Sequence, residues 1–294
     1  MIELYKGGNC MPKVNMVELL KKAKEEKYAV PLINIDTLEW LHAVMDTAQR
    51  LQSPIIIGTA PFQVERLGGV HTVVGMIDGL VKDKGYTIPY VIHLDHGSSF
   101  EWCKKAIDAG FTSVMIDASS LPLEENIAVT KEVVDYAHTH NISVEAEIGH
   151  VGGDEANGSK EVLYADLNEC VRMVKETGVD CLTPALGSVH GDYKGEPKLG
   201  FDEMKAISEA TNVPLVLHGG SGIPDYQIRM CIERGTAKIN VATENRRAFH
   251  NRLRDILAKD ALLIDPLKTT WVAKEAIEEI VESKILLFGS NNKA

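Results

Sequence analysis

Eight short apolar runs, each followed by an amphipathic stretch, restrict this chain more than any other feature. They lie at 29–35 (AVPLINI), 54–58 (PIIIG), 88–95 (IPYVIHLD), 112–117 (TSVMID), 142–148 (ISVEAEI), 180–186 (DCLTPAL), 213–218 (VPLVLH) and 237–241 (AKINV). Most are continuously apolar and several are rich in β-branched residues, which is how strands covered on both faces of a parallel sheet read. Helical periodicity fills the gaps, at 39–52, 70–84, 98–109, 124–139, 166–176, 201–210 and 224–234. Asp166 stands where an N-cap is expected, with Glu169 three residues on, and Gly178 stands at the matching C-terminal stop. Eight strand–helix units predict a closed (β/α)₈ TIM barrel. An open doubly wound sheet is the competing architecture, but it wants a topological switch and usually fewer strands.

The length of 294 residues fits one such barrel with extra helices at about 243–259 and 268–285. A single domain over 1–294 is therefore expected. The net charge of -11 is spread along the chain without a Lys/Arg-rich block, which argues against a nucleic-acid or anionic-membrane partner. The five cysteines, Cys10, Cys103, Cys170, Cys181 and Cys231, are odd in number and include no CxxC pair, so neither a disulfide framework nor a thiolate zinc site is expected. No signal-peptide core or spanning apolar run is visible, and a cytoplasmic location is expected.

Barrel enzymes carry their chemistry at the C-terminal ends of the strands, and here those ends are consistently polar. Strand 3 ends in His93-Leu94-Asp95-His96-Gly97, and strand 4 in Asp117. Strand 5 carries Glu145 and Glu147, and strand 6 leads into Gly187-Ser188-Val189-His190-Gly191. Strand 7 ends in His218-Gly219-Gly220-Ser221-Gly222, and strand 8 in Asn240-Val241-Ala242-Thr243. Any one of these histidines, read alone, is as easily a hydrogen-bonded core residue. His96, His190 and His218 on separate strand ends together suit a three-imidazole metal site with an open position. Asp95 is placed for acid–base work or for orienting a histidine. Asp117 and Glu147 are placed to orient ligands or hold a second cation, whereas Glu145 fits a structural ion pair equally well. The glycine-rich turn after His218 and the turn after strand 8 match the usual barrel phosphate site, where Ser221 and Thr243 add hydroxyl donors. Segment 149–160 (GHVGGDEANGSK), with Glu155, reads as either a closing loop or a plain surface loop.

The segments HLDHGSSFE, SVMIDAS, SVEAEIG, ALGSVHGDYKGEPKLGF, VPLVLHGGSGIP and AKINVATE occur in the order found in the class II fructose-bisphosphate/tagatose-bisphosphate aldolases, and the chain resembles that family over nearly its whole length. The resemblance implies a lyase of glycolytic-type carbohydrate metabolism that reversibly cleaves a ketose 1-phosphate or 1,6-bisphosphate to dihydroxyacetone phosphate and an aldehyde. It implies zinc on His96, His190 and His218, with Asp117 and Glu147 near a second metal position. It assigns Asp95 as the carboxylate that takes the C4 hydroxyl proton, and Glu155 as the loop carboxylate exchanging a proton with the dihydroxyacetone phosphate carbanion. Gly191, Lys194, Gly219, Ser221, Asn240 and Thr243 match the dihydroxyacetone phosphate site, where a monovalent cation also binds; Asn34, Gly220, Val241 and Ala242 complete the expected lining. A homodimer or homotetramer is implied.

The chain departs from the family pattern at four places: Ser120 replaces a histidine, Asn34-Ile35-Asp36-Thr37 lacks the usual run of asparagines, Ala60 stands where a hydroxyl residue is expected, and Leu267 follows Asp265-Pro266 in place of arginine. These point to an aldehyde product other than glyceraldehyde 3-phosphate. Two other enzyme readings remain: a Schiff-base barrel aldolase with Lys238 as nucleophile, and a metallo-hydrolase, disfavoured by the lack of HxH after strand 1. A non-catalytic sugar-phosphate binder is the third alternative.

Overall fold

The computed structural model describes residues 13–153 and 164–294. Eight strands form a closed parallel barrel in sequential order: β1 (Val30–Asn34), β2 (Ile55–Thr59), β3 (Tyr90–Gly97), β4 (Ser113–Ile116), β5 (Ser143–Ile148), β6 (Cys181–Pro184), β7 (Leu215–Leu217) and β8 (Thr236–Val241). Closure comes from β1 pairing with both β2 and β8, in register Leu32 with Ile56 and Val30 with Lys238. All eight expected strands are present, each within two residues of the apolar run that announced it.

The outer ring comprises α2 (Leu38–Arg50), α4 (Val70–Lys84), α5 (Phe100–Ala109), α6 (Leu123–Thr139), α7 (Leu167–Thr177), α8 (Phe201–Thr211), α9 (Asp225–Glu233) and α10 (Thr243–Lys259). Asp166 caps α7, accepting hydrogen bonds from the amides of Asn168 and Glu169, and Gly178 ends it in the left-handed conformation. Beyond α10 the chain makes α11 (Thr270–Ala273) and α12 (Glu275–Phe288), the latter packed on α2 and α10. Two helices are additions to the sequence reading: α1 (Val17–Glu26) and the short α3 (Pro61–Arg66). Met16, Leu20 and Ala23, at helical spacing, pack with Val30, Ile56, Val91 and Val216, so α1 lies against the N-terminal side of the barrel interior.

Side chains alternate across each strand, and those facing inward change character along the barrel axis. Val30, Val91 and Val216 give way to Leu32, His93, Glu145 and Lys238, and then to Asn34, Asp95, Glu147, His218 and Asn240, all buried. The interior is thus apolar at one end and ionic at the other. The main apolar core lies outside the barrel, between strands and helices.

Candidate active site and metal centre

Asp95 and His96 are adjacent, so a regular strand would send them to opposite faces. The β3–β4 register shifts between Leu94 and Gly97, and His96 adopts φ +51°, a left-handed conformation that an L-residue holds only against a penalty. That irregularity turns both side chains into the mouth of the barrel. His190 follows from a two-residue strand, Val189–His190, paired with Gly152–Gly153. His218 ends β7, and Gly219 directly after it has φ +65°; a Cβ there would lie 2.2 Å from the Val189 carbonyl oxygen. Glycine at 219 therefore lets the turn carrying His218 close onto the segment carrying His190. Tyr193 locks this approach: its hydroxyl donates to the Gly219 carbonyl at 2.8 Å and accepts the Val189 amide at 3.2 Å.

The three imidazoles meet edge to face, with centroids 4.7, 5.1 and 5.6 Å apart. Carboxylates hold the far nitrogens of two rings: Asp117 Oδ2 is 2.8 Å from His96 Nδ1, and Glu145 Oε1 is 2.9 Å from His218 Nε2. A carboxylate at one nitrogen fixes that nitrogen as N–H and leaves the lone pair on the other. The two lone-pair nitrogens, His96 Nε2 and His218 Nδ1, face each other at 3.0 Å. Two ring nitrogens in that relation need positive charge between them, either a proton carried by His96 or a bound cation. The donor atoms of His96, His190 and His218 all lie within 4.8 Å of one another, and so do those of His96, Asp117 and Glu147. Three convergent imidazoles, two of them backed by carboxylates, fit a catalytic divalent metal of the zinc type once the His96 proton is displaced.

Electrostatics agree. Burial alone would lower the His96 ring, but Asp95 and Asp117, with Glu147, raise it to about 10, so the pocket stabilises positive charge at this point. His190 and His218 are lowered, first by burial and then by the His96 charge. Burial would raise the Asp95 carboxyl, yet His96, His218 and Lys238 hold it below the usual range and keep it an acceptor. Glu147 is raised to about 8 by burial and by the Asp117 carboxylate. Asp95 is fixed by two amides, with Asn34 Nδ2 at 2.9 Å and Asn240 Nδ2 at 3.2 Å.

A cavity at this mouth is lined by Asn34, Asp95, His190, Gly191, Gly219, Ser221, Asn240, Ala242 and Thr243. Nine expected site residues are thereby brought together. Others fall elsewhere. The Val241 side chain packs in the outer core, and the Gly220 amide donates to the Asn240 carbonyl at 3.0 Å. Lys194 is exposed and outside the cavity lining. Glu155 lies outside the described residues. Tyr193 and Glu145 are the residues that local sequence reading left without a site role. Tyr193 sits three residues after His190, inside a segment already quoted.

Lys238 is not placed as a nucleophile. It is fully buried, its Nζ is 2.7 Å from Glu145 Oε2, and it does not line the cavity. Glu145 also accepts from Thr183 Oγ1 at 2.8 Å, so the ion-pair reading of Glu145 holds and the Schiff-base reading falls.

A closed parallel barrel with three convergent histidines, a fixed carboxylate and a glycine-rich turn at one mouth has the parts of a barrel enzyme that pairs a metal site with an acid–base group. The family model for class-II fructose-bisphosphate aldolase matches residues 14–293, and the chain belongs to that family. It is 54% identical to a fructose-bisphosphate aldolase of Geobacillus stearothermophilus over 285 residues, 97% of this chain and 99% of that one. A fructose-bisphosphate aldolase of Staphylococcus aureus (strain Mu50) is 53% identical, with 97% and 100% covered. Among solved structures, the YdjI aldolase of Escherichia coli K12 superposes with a TM-score of 0.84 at 33% identity, covering 96% of this chain and 99% of that one. The chain is accordingly a lyase of the class II aldolase type, cleaving a phosphorylated ketose. Among the described residues, no helix is long and apolar enough to cross a membrane.

Proposed function

We propose that the chain, working as one barrel domain, binds zinc on His96, His190 and His218 and cleaves fructose 1,6-bisphosphate to dihydroxyacetone phosphate and glyceraldehyde 3-phosphate. The convergence of the His96, His190 and His218 ring nitrogens, with His96 Nε2 and His218 Nδ1 3.0 Å apart beside the fixed Asp95, carries this reading. The relatives' shared name favours fructose 1,6-bisphosphate over the different aldehyde suggested by Ser120, Ala60 and Leu267.

When bound, the zinc supplies a Lewis acid that polarises the substrate C2 carbonyl and offsets the charge that develops there. Asp95 accepts the C4 hydroxyl proton. The C4–O electrons then form the aldehyde carbonyl, the C3–C4 bond breaks, and its pair moves toward C2 as an enediolate. Asn34 and Asn240 keep the Asp95 carboxylate aimed for this transfer. Protonation at C3 completes the cycle, and Glu155 is the residue proposed to supply that proton. The Gly191, Gly219, Ser221, Ala242 and Thr243 rim takes the dihydroxyacetone phosphate end, beside which a monovalent cation binds. His96, Asp117 and Glu147 form a second candidate cation position. Assembly as a homodimer or homotetramer and a cytoplasmic setting belong to the same proposal. A cleavage panel tests it: fructose 1,6-bisphosphate is expected to give the highest kcat/KM. Tagatose 1,6-bisphosphate or an unphosphorylated-tail ketose 1-phosphate turning over faster would refute it.

A further inference from the structure

Glu244, in the first turn of α10, makes contacts that the reaction does not require. Its Oε1 accepts the Gly222 amide at 2.6 Å. The same carboxylate takes Lys284 of α12 on both oxygens, Oε1 at 2.9 Å and Oε2 at 2.7 Å. The Glu244 amide donates to Ser221 Oγ at 3.2 Å. Lys284 is buried, with only 7% of its surface exposed, at a position where an unpaired ammonium is unfavourable.

Two consequences follow for the turn after β7. Because Ser221 Oγ accepts from the Glu244 amide, its one hydroxyl hydrogen remains available to donate into the cavity that Ser221 lines. Because Gly222 gives its amide to Glu244, the turn is fastened to the start of α10, where Thr243 contributes to the same rim. A carboxylate in this position also competes with an incoming phosphate dianion for the positive end of the helix. Lys284 removes that competition by cancelling its charge.

We propose that Lys284 and Glu244 are positioning residues for the phosphate-binding turn: Glu244 holds Ser221 and Gly222 in place, and Lys284 neutralises Glu244 so that the turn accepts a phosphate dianion. The proposal rests on the reading of that turn as the dihydroxyacetone phosphate cradle. It couples a helix of the outer layer, α12, to the substrate's phosphate end.

The test is a set of zinc-loaded variants titrated with inorganic phosphate as a competitive ligand, with KM and kcat for fructose 1,6-bisphosphate measured alongside. Lys284→Met leaves Glu244 charged and is expected to weaken phosphate binding and raise KM about three- to tenfold, with kcat within about twofold. Glu244→Gln keeps an acceptor for the Gly222 amide and leaves Lys284 positive, so phosphate binds more tightly than in the parent. The double variant returns near the parent. Weakening by all three variants, as loss of packing alone would give, overturns the proposal. So does a Lys284→Met that binds phosphate like the parent. Should Lys284→Met fail to fold, Glu244→Gln decides by its sign. A parent that does not bind phosphate overturns the cradle reading together with the inference, whereas a parent that binds with unaffected variants overturns the inference alone.

Discussion

The ionic layer inside the barrel makes the most quantitative prediction. Lys238 Nζ and Glu145 Oε2 are 2.7 Å apart and both side chains are fully buried. At an effective dielectric of about 20, charges at that distance attract by roughly 6 kcal/mol, against which the desolvation of both groups must be set. Lys238→Met removes the attraction but leaves Glu145 buried, with His218, Thr183 and Cys181 and the His93 ring at 3.7 Å, but no full positive charge, to answer it. Removing one partner of such a pair typically costs about 3–5 kcal/mol, and that is the loss expected here. Glu145→Gln strands the Lys238 ammonium and is expected to cost a similar amount. The double variant Glu145→Gln/Lys238→Met carries no stranded charge and is expected to recover at least half of either loss. Urea unfolding of chelator-treated protein, read by circular dichroism with the m-value checked for constancy, measures all three. A Lys238→Met variant within about 1 kcal/mol of the parent would refute the reasoning, as would a double variant that simply sums the singles.

Two further outcomes follow. Asp95→Asn keeps the size of the side chain and an acceptor for one of Asn34 and Asn240, which donate to different carboxylate oxygens, but no longer accepts a proton; kcat for cleavage should fall by about 10²–10⁴ while zinc content stays at the parent level, and loss of zinc would instead make Asp95 a metal-orienting residue. His93 is fully buried and lowered from 6.5 to about 3, chiefly by burial and then by Lys238. A depressed histidine contributes stability that is fully present above about pH 6.5 and is lost as pH falls toward 3. A His93→Gln variant of chelator-treated protein should therefore show a shallower loss of stability than the parent across that window, and parallel curves would contradict this.

The barrel was legible because each buried strand is a local signal, a run of apolar residues stopped by a polar end. His96 and His218 were legible for the same reason, since they sit at those ends, and His190 follows the sixth strand in a short strand of its own. Long-range partners leave no such mark. Glu145 and Lys238 are 93 positions apart, and no local pattern chooses between a catalytic and a structural lysine at 238. The pairing of His218 with Glu145 likewise needs the closed barrel. The inward turn of both Asp95 and His96 contradicts strand alternation and arises only from the local register shift. Helix α1 was readable in principle from Met16, Leu20 and Ala23, but its amphipathic stretch falls before the first strand, outside the alternating pattern that organised the reading. Tyr193 carried no signal beyond its place near His190.

The most direct test of the account is turnover of fructose 1,6-bisphosphate by protein stripped with a chelator and then titrated with zinc. Cleavage is expected to fall to background and to return in proportion to zinc, reaching its plateau near one ion per chain. Full activity after stripping, with a borohydride-trapped adduct on Lys238, would contradict it.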